Sequence, residues 1–191
     1  ATSANLATLP TISGSVNFTA SNPVISVAPV QFNGANISPW TPTLAIAGNL
    51  YASGSIRVTG GGMLQLSGGS ISSTWVDVSA NSGLMLAVGT VNGVQMAMGD
   101  GAMLAGVGTL SLLNRFVFGG TVVVGGSASV FFGGSVGFSG ASAGMTVAMP
   151  QVTTTVSGTF GGSTSFAKNG LGTLLVSNTA NLTTWNTGGS K

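Results

Sequence analysis

Six side chains in 191 residues carry a charge: Arg57, Arg115, Lys168, Lys191, Asp77 and Asp100. Histidine, cysteine and glutamate are absent. Any proton transfer, nucleophilic attack or metal binding has to be built from this set. Without His or Cys there is no Ser-His-Asp triad, no thiolate nucleophile, no zinc or haem ligand set and no imidazole base. Two carboxylates leave a calcium cage dependent mainly on carbonyl oxygens. Asp77 and Asp100 are the one pair that could face a sugar as glycosidase carboxyls, and nothing around them supports that role. Four cations are too few for a nucleic-acid surface, where each phosphate contact needs a donor. The composition points away from an enzyme, from a metal or other cofactor, and from nucleic acid.

The remaining polar positions read as structure. No Gly-x-x-x-x-Gly-Lys-Ser/Thr occurs, and Gly60, Gly61 and Gly62 precede a strand pattern, not a helix, so they form no phosphate loop. Asn92-Gly93 and Asp100-Gly101 read as tight turns. Arg57 and Asp77 lie on alternating segments 20 residues apart. That is about one coil of a β-helix, so the two can stack on neighbouring rungs as an ion pair of modest energy. Trp40, Trp75, Trp185 and Tyr51 read first as half-buried packing or interface anchors and second as platforms for a surface carbohydrate. The seven methionines read as core filler. Asn17, Asn36 and Asn181 each begin a glycosylation sequon.

The elements that must position these residues are strands. Helix formers for exposed faces are scarce, and the 32 glycines recur too often for helices to run. Ser55–Thr59, Met63–Ser67 and Thr74–Ser79 alternate apolar and polar residues, and similar short runs follow to Thr173–Val176. Gly, Gly-Gly or Asn-Gly separates them. From Tyr51 onward a strand begins about every seven to eleven residues, a spacing that belongs to sandwiches, barrels and solenoids. A strict repeat period is not evident. No run of about 18 apolar residues exists, so a membrane-spanning helix is excluded. A transmembrane barrel would need strands of about ten residues with aromatic girdles, and these are shorter. Residues 1–50 hold five of the six prolines. They read as a Pro-containing extended arm or cap, and 51–191 as a Gly-rich short-strand β domain.

One stretch is more specific: Lys168-Asn169-Gly170-Leu171-Gly172-Thr173-Leu174-Leu175-Val176-Ser177-Asn178. It resembles the passenger-associated repeat of bacterial autotransporter-type proteins, Lys-x-Gly-x-Gly-Thr-Leu-x-Leu-Ser-Gly. Lys168, Gly170, Gly172, Thr173, Leu174 and Ser177 match; Val176 replaces a Leu, Asn178 a Gly, and Leu182 a Tyr further on. The resemblance implies a right-handed parallel β-helix at or outside a bacterial surface, in an adhesin, structural passenger or matrix component. The residues agree independently: Gly170 and Gly172 suit a tight corner, Thr173–Val176 a rung, and Asn178 the next corner.

The expected fold is therefore all-β and parallel β-helix or solenoid-like, with a β-sandwich or jelly-roll filament subunit using donor-strand exchange as the alternative. The scarcity of charge sets the expected function. A soluble monomer usually carries about 25–35% Lys, Arg, Glu and Asp on its surface; this chain holds 3%. Charged gatekeepers at strand edges are nearly missing. The expectation is a non-catalytic extracellular or cell-surface structural protein, its leader removed, that polymerises with itself through β-strand contacts into a filament, sheath or surface layer. Val16, Phe18, Val24, Ile25 and Val27 would be the contact residues of the arm. Phe116, Phe118, Phe131, Phe132 and Phe138 would be core or interface. The alternatives are an adhesin or binding passenger, and a virion or tail structural protein.

Overall fold

A computed structural model describes residues 8–36, 38–87, 93–140, 142–162, 165–178 and 185–186. The chain is an all-β solenoid of stacked parallel sheets, with no helix among these residues. Among the described residues the coils run over three faces in order. Face 1 is a nine-stranded sheet that begins with Thr11–Ile12, continues through Pro42–Ile46, Met63–Leu66, Gly83–Leu86 and Met103–Gly106, and ends at Trp185–Asn186. Face 2 carries a three-stranded sheet, Val16–Asn17, Leu50–Tyr51 and Ile71–Ser72, then a four-stranded one from Leu110–Leu112 to Thr173–Val176. The corresponding segment between those two sheets, 88–92, lies outside the described residues. Face 3 is seven-stranded, from Val24–Ser26 through Ile56–Thr59, Trp75–Val78, Gln95–Met98 and Phe116–Phe118 to Phe160–Gly161. The solenoid member of the two expected architectures is the one formed.

The register shows a period that was not evident in the sequence. Leu44, Leu64, Leu84 and Leu104 pair in succession on face 1, and Ile56, Val76, Met96, Phe116 and Val136 on face 3, each 20 residues from the next. Parallel pairing places identical positions of successive coils one strand spacing apart, about 4.8 Å, so inward side chains form continuous columns. The columns are the core. Val58, Val78, Met98 and Phe118 are all essentially inaccessible. Toward the C-terminal coils the columns turn aromatic. Phe116, Phe118, Phe132, Phe138, Phe160 and Phe166 pack with centroid distances of 4.9–6.2 Å, mostly edge to face, the arrangement that the ring quadrupole favours. Phe131, the neighbour of Phe132, faces outward and is half-buried.

The N-terminal segment is not a free arm. Thr11–Ile12, Val16–Asn17 and Val24–Ser26 pair in parallel with Pro42–Ile46, Leu50–Tyr51 and Ile56–Thr59. They are a rung of the same solenoid. Ile25 and Val27 are buried in the core, and Val16 and Phe18 pack against it. These four side chains therefore pack in or against the chain's own core. Val24 alone of the five expected contact residues is freely exposed, at 59%. The alternation that suggested a docking strand is the ordinary alternation of a rung with one face inward.

Two of the prolines, Pro29 and Pro39, lie in an insertion. Ile12 pairs with Ile46, 34 positions on, where the next coils on this face advance by 20. The extra residues, described at 28–36 and 38–41, leave the stack and form a strap. It contains a small antiparallel hairpin, Gln31–Phe32 with Ala35–Asn36, turned by Asn33 and Gly34 with φ of 49° and 78°, the left-handed pair that a two-residue turn requires. The strap rejoins at Pro42, beside a register shift between Pro42 and Leu44, where the missing proline N–H is tolerated. Thr43 anchors it by donating to the Ala28 carbonyl at 2.8 Å. Trp40 lies over face 1 with its indole against Gly125.

Candidate functional site

The five charged residues among those described divide into two groups, and Lys191 lies outside the described residues. Asp100 and Lys168 serve corners. Asp100 accepts from the Thr121 N–H at 2.8 Å, one coil away. It sits at the turn from face 3 to face 1, where Gly61, Asn81 and Gly101 stack at 20-residue intervals with φ of 77°, 57° and 69°. The Lys168 ammonium donates to the Gly170 carbonyl at 2.6 Å. Gly170 itself has φ of 78° and turns the chain between Ser165–Asn169 and Thr173–Val176. A Cβ on Gly172 would press on Val147 and on the Met149 and Val152 oxygens. Ser177 donates its N–H to the Val156 carbonyl at 3.0 Å. Thr173 and Leu174 lie on the rung between. The repeat-like stretch is thus one corner and one rung; its continuation over 179–183, with the Asn181 sequon, lies outside the described residues.

The second group meets on the outer side of face 3. Asp77 is in register with Arg57, and the Arg57 Nε donates to Asp77 Oδ2 at 2.8 Å. The 20-residue spacing and the pitch of one coil bring them together. Trp75 lies two positions before Asp77 and so points to the same side. Gln95 follows one coil on, in register with Trp75. The Arg115 guanidinium lies 5.9 Å from the Trp75 ring centre and donates to Gln95 Oε1 at 3.4 Å. The Asn22 side-chain oxygen accepts from the Ser55 N–H at 3.1 Å, closing the N-terminal end of the site. Between these groups runs a groove of about 520 Å³ lined by Asn22, Val24, Ser55, Arg57, Trp75, Asp77 and Ala97. Its size falls within the usual small-ligand range of about 300–1,000 Å³.

The sequence pattern pointed to the Arg57–Asp77 pair but not to its setting. Trp75, Gln95 and Arg115 become neighbours only through the 20-residue register. Trp40 and Tyr51 stand elsewhere: Trp40 in the strap, lining an apolar groove of about 420 Å³ with Gln65, Met85, Val107 and Met149, and Tyr51 on face 2 in register with Asn17 and Ser72. Of Trp185 only the strand position is described. Asp77 and Asp100 have different partners, one mid-strand and one at a corner, and share no site. No cluster of three metal-binding side chains occurs among the described residues, and no helix there is long and apolar enough to cross a membrane. No family model matches the chain, and comparison with curated proteins and with solved structures returns no match.

Proposed function

We propose that this solenoid is a non-catalytic structural protein of the extracellular or cell-surface kind, of the autotransporter passenger type that the 168–178 stretch resembles, and that it associates with copies of itself. The observation that supports this is the dressing of a continuous apolar core with almost no charge. The outside is Ser, Thr, Asn, Gly and isolated apolar side chains, with Val107, Leu113, Leu171 and Leu175 more than half exposed. Short hydroxyl side chains wet a surface but do not repel an approaching sheet. Association then proceeds by stacking of terminal rungs and by lateral contact of faces, not by exchange of an N-terminal arm. Head-to-tail stacking of this kind is heterologous and builds open polymers.

Sedimentation velocity over a concentration series, with negative-stain electron microscopy of the same samples, tests the reading. Polymers of uniform width that Val24→Lys shortens are the expected result, because Val24 is exposed on a terminal strand of face 3. A monomer at all concentrations would refute it.

A further inference from the structure

We infer that the outer groove of face 3 binds a neutral pyranose saccharide, with Trp75 as the stacking platform. The inference goes beyond self-association and does not depend on it. Three observations converge. Three of the chain's six charged residues gather on this one surface. They surround a partly exposed tryptophan, and Arg115 holds one side of its ring by a cation–π contact. That contact fixes the indole, so little side-chain freedom is lost when a ligand stacks on it.

The polar groups beside the ring suit hydroxyls. Arg57 spends its Nε on Asp77, and its two terminal amino groups make no protein hydrogen bond among the described residues. Asp77 uses Oδ2 and keeps Oδ1 as an acceptor. Asn22 uses its oxygen on the Ser55 N–H and keeps its amide as a donor. A carboxylate acceptor next to guanidinium and amide donors matches adjacent sugar hydroxyls, each of which both donates and accepts. The C–H face of a pyranose meets the indole as an apolar surface. Charge selects against an acidic sugar. Asp77 neutralises Arg57 at contact distance, and Arg115, the third charge, contacts Trp75 and Gln95 and does not line the groove, so an incoming carboxylate would have to displace or face the Asp77 carboxylate.

The test is a titration of the whole chain with maltohexaose and with cellohexaose, and with hexagalacturonate as the acidic arm. Binding is read by isothermal titration calorimetry in every variant, and in the unsubstituted chain also from the Trp75 indole N–H resonance, assigned with Trp75→Phe. A saturable shift with at least one neutral saccharide is expected. Trp75→Ala should then weaken binding by about tenfold or more, as loss of an aromatic stacking contact predicts. Asp77→Asn should weaken it several-fold, and Trp75→Phe should retain most of it. Both outward positions lie off the core, and the phenylalanine variant keeps the test valid should the alanine variant misfold. No shift with either neutral saccharide up to about 10 mM, a range weaker than any useful site, would overturn the proposal. So would unchanged binding by Trp75→Ala together with Asp77→Asn, or preference for hexagalacturonate.

Discussion

Thr154 illustrates how a single atom can count against the fold that holds it. It stands in an inward column of face 2, in register with Val130 on one side and Leu174 on the other. It is wholly inaccessible, and its hydroxyl makes no hydrogen bond. A buried hydroxyl that forgoes its water without a partner costs about 1–3 kcal/mol. Thr154→Val keeps the shape and the β-branched rotamer preference of a strand residue. It should raise the denaturation midpoint by the equivalent of about 1 kcal/mol, measured by urea unfolding with unchanged m-value. A lower midpoint would mean that Thr154 has a role the column does not show. The Arg57–Asp77 pair sits at the other extreme. Exposed to 59% and 31%, it contributes about 0–1 kcal/mol at most, so its two side chains are better explained by what they present to solvent than by what they hold together.

At the scale of the coil, the corners set the tolerance. Gly134 and Gly158 occupy successive turns from face 2 to face 3. A Cβ on Gly134 would overlap the Asn114 carbonyl oxygen, and one on Gly158 would overlap that of Gly134. The obstacle in each case is backbone, which cannot rotate away. Gly14 has open space around it and no left-handed φ. Gly134→Ala should therefore destabilise by about 2–4 kcal/mol, as steric overpacking does. Gly14→Ala should be neutral or stabilising by about 0.4–1 kcal/mol through the unfolded state. Thermal unfolding of the two variants side by side checks this, and equal effects would contradict the stacked corner. The same corners explain how much of the architecture was legible. Alternation and glycine punctuation were enough for short strands and a solenoid, because each strand buries one side and each turn needs a small residue. The 20-residue period was present in Leu64-Gln65-Leu66, Leu84-Met85-Leu86 and Leu104-Ala105-Gly106, and in Val76, Met96 and Phe116. It was hidden because the columns keep burial rather than residue type or size, and because the strap and a longer coil near 140 break it. Val130 pairs with Thr154, 24 positions on. An arm and a terminal rung are hard to separate in the sequence for a related reason: an N-terminal rung and a donor strand carry the same alternation, and only the pairing partners distinguish them. The groove was illegible without that register, since Trp75, Arg57 and Arg115 are neighbours only across coils.

At the scale of the whole molecule, the solenoid is a one-dimensional stack whose cohesion inside the chain and proposed cohesion between chains have the same physical origin. Inside, apolar columns and parallel backbone ladders supply it, with a single exposed ion pair among the described residues. Between copies, the same surfaces would meet: rung edges, hydroxyls and isolated apolar side chains. Such contacts have a definite signature. Polymers held by charge weaken as salt shortens the Debye length from about 10 Å at 0.1 M to about 3 Å at 1 M. A chain with formal net charge of +2 has little long-range repulsion to screen and few ion pairs to break. With no histidine, no side chain of ordinary pKa changes charge between about pH 5 and 8. The sedimentation profile should therefore be the same at low salt and at about 1 M sodium chloride, and the same across that pH range. Sodium sulfate should shift it toward larger species, because excluded salts strengthen apolar burial. Dissociation by sodium chloride alone would place the cohesion in the few charged residues, above all Arg57, Asp77 and Arg115, and would make the face 3 groove a contact between copies rather than a site for a saccharide.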